Sequence, residues 1–199
     1  MDNLLRFIKL TQEFKAVKRK VILAKEDREE NDAEHSYQLA IVAWYLISTQ
    51  GLKLDLGLTL RYALVHDLVE VYAGDTPAFQ KGYEKEKETK KQREEDAAKQ
   101  LAKEFPEFSQ LHEFINAYEL RVDEESKFIY ALDKIVPIMN IYLDKGHSWK
   151  IHNISLDELI ENKQDKVLLS KEVKKYFDEI VEMLRQDQAT LFPQKSAKK

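Results

Sequence analysis

His35, His66, Asp67, Glu70 and Asp133 are the side chains whose types and surroundings could do chemistry. His66, Asp67 and Glu70 stand in Leu64-Val-His66-Asp67-Leu-Val-Glu70, a run whose other members are apolar. Burying several ionisable groups in one apolar segment is costly unless they are paired or hold an ion. In a helix, His66 and Glu70 fall one turn apart, roughly 6 Å along the axis and on one face, with Asp67 beside them. One patch then presents an imidazole and two carboxylates. A single helix rarely closes a metal site, so other elements must complete it. His35, in Asn31-Asp-Ala-Glu-His35-Ser, and Asp133, in Phe128-Ile-Tyr-Ala-Leu132-Asp133-Lys-Ile-Val-Pro137, are the candidates. Two imidazoles and two carboxylates suit one hard-to-borderline divalent ion (Mn, Fe, Co, Ni or Mg) with positions left open for water. The sequence contains no Cys, which excludes thiolate sites, disulfides and cysteine nucleophiles and argues against a closed structural zinc site.

The elements that must position these groups follow from periodicity and punctuation. With 5 Gly, 4 Pro and no alternating β-branched run between turn pairs, the 199 residues read as all-α. Leu4, Leu5, Ile8 and Phe14 mark a first helix, and the charged, aperiodic stretch 18–30 reads as a loop. Asn31 or Asp32 can cap a second helix, to about residue 49, with Leu39, Val42, Ala43, Leu46 and Ile47 on its apolar side and Trp44 in the core. A third helix spans about 58–72 and stops at Gly74-Asp75-Thr76-Pro77. Residues 81–104 are a dense charge run of mixed sign, gaining an apolar face from Ala97, Ala98, Leu101 and Phe105. The run reads as a solvated helix laced with i,i+4 ion pairs, with a mobile lid as the alternative. Helices over about 108–120 and 124–143 follow, and Pro137 predicts a kink by taking the helix donor from the Asp133 carbonyl. Ser155-Leu-Asp-Glu158 is a capping-box pattern. Leu169, Val173, Tyr176, Phe177, Ile180, Val181 and Leu184 mark the last helix, a candidate homodimer seam whose stripe suits core packing equally well. His147 and His152 flank Trp149 in a turn-like stretch. The expectation is one domain over 1–192, with core motifs in 19–145 and C-terminal helices in 155–192, and a disordered basic tail over 193–199.

At this level the chain resembles a known family. The order His35, His66-Asp67, Asp133 is similar to the signature of the HD-domain metal-dependent phosphohydrolase superfamily. Arg28-Glu-Glu-Asn31-Asp-Ala-Glu34-His35-Ser36 resembles the E-N-x-x-E-H-S start of that family's ligand helix. Tyr62-Ala-Leu-Val-His66-Asp67-Leu-Val-Glu70-Val-Tyr-Ala-Gly74-Asp75-Thr-Pro77 resembles the H-D-x-x-E-x-x-x-G-D-x-P block of its nucleotidase branch, and Ala131-Leu-Asp133-Lys134 resembles its final ligand block. The likeness covers about residues 4–150. It implies an HD-type helical bundle with the metal site between helices. It also implies that His35, His66, Asp67 and Asp133 hold the metal, that Glu70 positions or deprotonates the attacking water, and that Asp75 contacts the sugar. An arginine upstream of the first His binds phosphate in that branch; Arg19 is the nearest match, with Lys18 and Lys20 as alternatives. The branch's Trp after that arginine is replaced here by Lys20. Binuclear relatives carry extra histidines between Asp67 and Asp133, where this sequence has His112, so one ion is expected. The implied activity is release of phosphate from (deoxy)nucleoside 5′-monophosphates. The alternatives are hydrolysis of a nucleoside polyphosphate or cyclic nucleotide, or a noncatalytic metal or nucleotide sensor.

Charge narrows the partners. Lys+Arg 32 against Asp+Glu 36 gives a net charge of −4, without the basic excess that nonspecific nucleic-acid binding requires. The longest apolar stretches, such as 39–47, are far short of a membrane span, and the N-terminal residues lack a leader's apolar region. The expectation is a soluble cytoplasmic protein with a small nucleotide substrate, no nucleic-acid or membrane partner, and a possible homodimer.

Overall fold

Capping chemistry starts the helix that carries His35. Asn31 accepts from the Glu34 amide at 3.1 Å while the Glu34 carboxylate accepts from the Asn31 amide at 3.1 Å, a complete capping box. Such a cap contributes about 1 kcal/mol and fixes which residue begins the helix. Gly51 ends it at φ +61°, a left-handed conformation that glycine adopts without a Cβ penalty.

The computed structural model describes residues 1–23, 25–76 and 83–193, the side chains of 83–88 excepted. Its elements in chain order are α1 Asp2–Phe14, β1 Lys18–Leu23, β2 Arg28–Asn31, α2 Asp32–Gln50, α3 Leu56–Val65, α4 Glu70–Ala73, α5 Tyr83–Glu104, α6 Ser109–Leu120, α7 Glu124–Leu143, α8 His147–Ile151, α9 Leu156–Val167, α10 Lys171–Gln186 and α11 Gln188–Leu191. The class is all-α, as the sequence predicts, with one local exception. The stretch expected as a loop pairs as a two-stranded sheet of β1 and β2, with Asp27 at φ +51° in its turn. The chain divides into two compact units, one made of Met1–Arg19 and Glu30–Ile129, the other of Lys20–Glu29 and Tyr130–Lys199.

In the first unit, α1 packs on α4, α2 on α3, α3 on α6, and α5 on both α4 and α6. One apolar cluster joins Leu10 and Phe14 of α1, Leu68 and Val69, Ala97 and Leu101 of α5, Phe105, and Leu111 and Ile115 of α6. Each large side chain buried there is worth about 1.5–3 kcal/mol relative to exposure. Two expectations change. The helix foreseen over 58–72 is broken: α3 stops at Val65, residues 66–69 form turns, and α4 begins at Glu70. Within the break, the Leu68 amide bonds the Val65 carbonyl at 3.1 Å and the Glu70 amide bonds the Asp67 carbonyl at 2.9 Å, the tighter i to i+3 pattern. Trp44, expected in the core, is 51% exposed and shares its face of α2 with Tyr37, Ile41 and Tyr45. The buried face is Leu39, Ala40, Ala43, Leu46 and Ile47. A helix apolar nearly all round gives periodicity little with which to choose a face.

In the second unit, α7 continues through Pro137 and buries Leu132, Ile135, Val136 and Ile138. The stretch around Trp149, expected to be turn-like, is the helix α8, and its indole stacks on Phe192 with centroids 4.6 Å apart and planes at 9°. Gly146 has φ +74°, and a Cβ there would fall 1.9 Å from the Leu191 carbonyl oxygen, so the approach of α11 requires glycine. The stripe of α10 (Val173, Phe177, Ile180, Val181, Leu184) is buried, with α10 packed on α9 and α11, which spends within this unit the face considered for a dimer seam. Ser155 caps α9 with its capping box as predicted. Residues 194–199 of the expected basic tail lie outside the described residues. Among the described residues, no helix is long and apolar enough to cross a membrane.

Candidate metal centre

His35 stands in the first turn of α2, directly after its capping box, and is fully buried. His66 is the C-cap of α3, where the tightened turn carries Asp67 and Glu70 toward it. The two imidazole rings lie 5.3 Å apart, and Tyr118 of α6 meets His66 edge-on at 5.9 Å. One ligand atom from each of His35, His66 and Asp67 lies within 4.8 Å of the others. A second trio overlaps the first: Asp32, Asp67 and Glu70 likewise offer oxygens within 4.8 Å of one another.

The tautomer of His66 follows from its partners. Nδ1 lies 3.0 Å from the Ala63 carbonyl oxygen, which can only accept, so Nδ1 carries the proton. Nε2 then turns its lone pair toward Asp67 Oδ2 at 2.9 Å. Two electron-rich atoms at that distance need a cation or a proton between them. A backbone carbonyl that accepts from one ring nitrogen in this way fixes the orientation of a histidine whose other nitrogen can hold a metal.

Arg19 of β1 brings the nearest cation. Its Nη1 donates to Asp67 Oδ2 at 2.6 Å and to Asp32 Oδ1 at 3.0 Å, and its Nε stands 3.6 Å from Glu30 Oε2. Lys20, one of the two alternatives to Arg19, instead pairs with Glu29 at 2.8 Å. Burial, and then the charge of Asp67, push Asp32 up to about 7 even though Arg19 pulls it down. Burial first, then Asp67, Asp75 and Asp32, raise Glu70 well above the ordinary carboxylate range, with Lys90 opposing. Asp32 Oδ2 and Glu70 Oε2 are buried and have no hydrogen-bond partner among the described residues.

The structure therefore gathers His35, His66, Asp67, Glu70 and Arg19, and Asp75 acts within the same field through its charge on Asp32 and Glu70. Asp133 is buried on α7 in the second unit, its carboxylate paired with Lys134. Sequence reasoning missed several contributors. Asp32 looked like a helix cap, Glu30 like part of a loop, and Lys90 and Arg93 were hidden in the charge run. Arg93 bonds the Thr76 hydroxyl at 2.7 Å and the Ala73 carbonyl at 3.3 Å, pinning the Gly74-Asp75-Thr76 turn. Gly74, at φ +73°, ends α4 in that turn. The Asn31-to-His35 spacing was the available clue to Asp32, since a residue at the first helical position must share the end of α2 with His35.

The donor set fits a divalent cation. Histidine nitrogen and carboxylate oxygen suit a borderline-to-hard ion, and the partnerless Asp32 and Glu70 oxygens are atoms that an ion or its water would satisfy. Comparison with known proteins points the same way. Residues 11–190 match the family model described as HD domain. Over 141 residues, 69% of this chain and 67% of the relative, the sequence is 34% identical to the 5′-deoxynucleotidase HDDC2 of Mus musculus. Over 151 residues, 73% of this chain and 71% of the relative, it is 33% identical to the 5′-deoxynucleotidase HDDC2 of Homo sapiens. A crystal structure of a predicted metal-dependent phosphohydrolase from Magnetospirillum magnetotacticum matches with a TM-score of 0.80 and 26% identity, over 96% of this chain and 95% of that one.

Proposed function

Because the chain belongs to the HD domain family, we propose that it is a metal-dependent phosphohydrolase releasing orthophosphate from nucleoside 5′-monophosphates, deoxynucleotides foremost. The observation that carries this reading is the convergence of His35, His66 and Asp67 beside a buried Glu70 oxygen that no described residue satisfies. We assign His35, His66 and Asp67 to one divalent ion and give Asp133 the fourth position, on the strength of its burial among the apolar residues Phe128, Ile129, Leu132, Ile135 and Val136 of α7. We read residues 1–192 as one HD domain.

A divalent ion held there supplies Lewis acidity and lowers the pKa of water. The chain's own groups do the rest. Glu70 Oε2, raised in proton affinity by burial, takes the proton from the attacking water. Arg19 neutralises phosphoryl charge with charge-assisted hydrogen bonds. Asp75, on the turn held by Arg93, contacts the sugar. The names of the HDDC2 relatives support the deoxynucleotide preference, while Lys20 in place of the branch's Trp makes the sugar the property to test first.

The test is orthophosphate release from ribo- and deoxynucleoside monophosphates with Mn, Co or Mg, beside an EDTA control. Turnover should need metal, and Glu70→Gln should lower kcat by about 10²–10⁴-fold. Absence of orthophosphate from every nucleotide would sink the reading, and pyrophosphate or triphosphate release would transfer it to polyphosphates. We also propose a homodimer whose seam is the exposed Tyr37, Ile41, Trp44 and Tyr45 face of α2, since large rings clustered on one exposed helix face are the usual mark of an interface. Sedimentation should find a dimer that Trp44→Glu splits; a monomeric parent protein removes the proposal.

A further inference from the structure

Among the described residues, Glu30, Asp32, Asp67, Glu70 and Asp75 place carboxylates around the site, and Arg19 and Lys90 place cations there. A phosphomonoester arrives as an anion, and each uncompensated carboxylate repels it. Arg19 already engages Asp67 at 2.6 Å, Asp32 at 3.0 Å and Glu30 at 3.6 Å.

Lys90 is held differently. It lies in the charge run of α5, which the sequence reads as solvated, yet its side chain is only 25% exposed. Its Nζ stands 3.8 Å from Glu70 Oε1 and 3.3 Å from Glu94 Oε1, and it makes no hydrogen bond among the described residues. Burial works against its charge, but Glu70, Glu94, Asp67 and Asp75 outweigh burial and keep the ammonium protonated. Lys90 also lines a cavity of about 920 Å³ with Val69, His112, Ile115 and Asn116. A lysine ammonium is a point charge with three donors on a flexible stem, and two long ion pairs restrain it less than short hydrogen bonds restrain a guanidinium.

We propose that Lys90 is a substrate-binding cation, whose ammonium leaves Glu94 and donates to a phosphoryl oxygen of the nucleotide beside Glu70. This rests on the phosphohydrolase reading and adds to it a residue from outside the ligand motifs.

The test uses the full-length, metal-loaded protein, with inorganic phosphate as the calorimetric probe and steady-state kinetics as the second readout. Lys90→Met should weaken phosphate binding about 10–100-fold and raise KM for a deoxynucleoside monophosphate by a similar factor, the range of a hydrogen bond to a charged group. Lys90→Arg should recover part of both. Lys91→Met removes the same charge one residue along, from a side chain 81% exposed, and should change neither. Unchanged phosphate affinity in Lys90→Met, or a loss confined to kcat, overturns the proposal; the second result would make Lys90 a positioning partner of Glu70. Parent protein that binds no phosphate overturns it as well. If no nucleotide is hydrolysed yet phosphate binds and Lys90→Met weakens it, the anion site stands and the phosphohydrolase reading alone fails.

Discussion

Residues 30–76 and residues 146–192 are packed on opposite terms. The first stretch gives buried positions to Glu30, Asp32, His35, His66 and Glu70. It leaves Asp32 Oδ2 and Glu70 Oε2 without hydrogen-bond partners among the described residues. The second buries Trp149, Leu159, Phe177, Leu184 and Phe192, and its buried serines are satisfied: Ser148 accepts from the Ile22 amide at 2.9 Å, and Ser170 caps α10. A buried polar atom without a partner costs about 1–3 kcal/mol. A fold that bears this cost in residues 30–76 and avoids it among the described residues of 146–192 points to the first stretch as the place where a ligand completes the bonding.

Substitutions in the two stretches should separate function from stability, and the largest effects come first. His66→Ala removes a ligand and should abolish divalent-metal binding in calorimetry and lower phosphate release by at least about 10³-fold, while the urea midpoint of the metal-free protein moves little. Trp149→Ala should do the reverse. Losing the ring stacked on Phe192 should cost about 3–5 kcal/mol of stability, with metal affinity kept wherever the protein remains folded. If folded Trp149→Ala bound metal as poorly as His66→Ala, the contrast would fail, and the polar site would depend on packing as much as on its ligands.

How much of this was legible in the sequence depends on whether local chemistry or tertiary pairing decided each feature. Asn31 and Ser155 announced their helices because a cap acts within three residues. The stripe of α10 was visible because its polar positions are strongly charged and its apolar ones recur at helical spacing. His35, His66 and Asp67 stood out as ionisable groups in apolar surroundings. What escaped was set by distant partners. The β1–β2 hairpin carries few apolar residues, and Arg19 there is fixed by Asp32 and Asp67, the latter 48 positions away. The helix break at 66–69 has no proline or glycine to mark it; its signature is a side-chain and backbone bonding pattern around His66. Lys90 looks like every other lysine of its run until Glu70 is placed beside it.

The smallest expected effect sharpens the contrast through pH. Burial, and then Asp67, raise Asp32 from 3.8 unfolded to about 7 folded, and Glu70 is raised as well. Between those values these two acids hold more protons in the folded protein than in the unfolded chain, so they lower the stability of the metal-free protein as pH rises from about 4 to 7. Asp123 has the opposite sign: burial would raise it, but hydrogen bonds from Tyr62 and Ser126 hold it below the ordinary range, so its contribution is present at neutral pH and lost in acid below its unfolded value. Its change therefore lies below the window from pH 5 to 7 in which Asp32 acts. In EDTA the urea midpoint should therefore decline across that window, by an amount equivalent to a few kcal/mol at most. Saturating Mn should flatten or reverse the decline, because a divalent ion binds the ionised carboxylates and stabilises only the folded chain that assembles them. A midpoint in EDTA that rises from pH 5 to 7 would show that these acids are ionised at little cost without an ion, and the buried cluster would then have no unmet need for a cation.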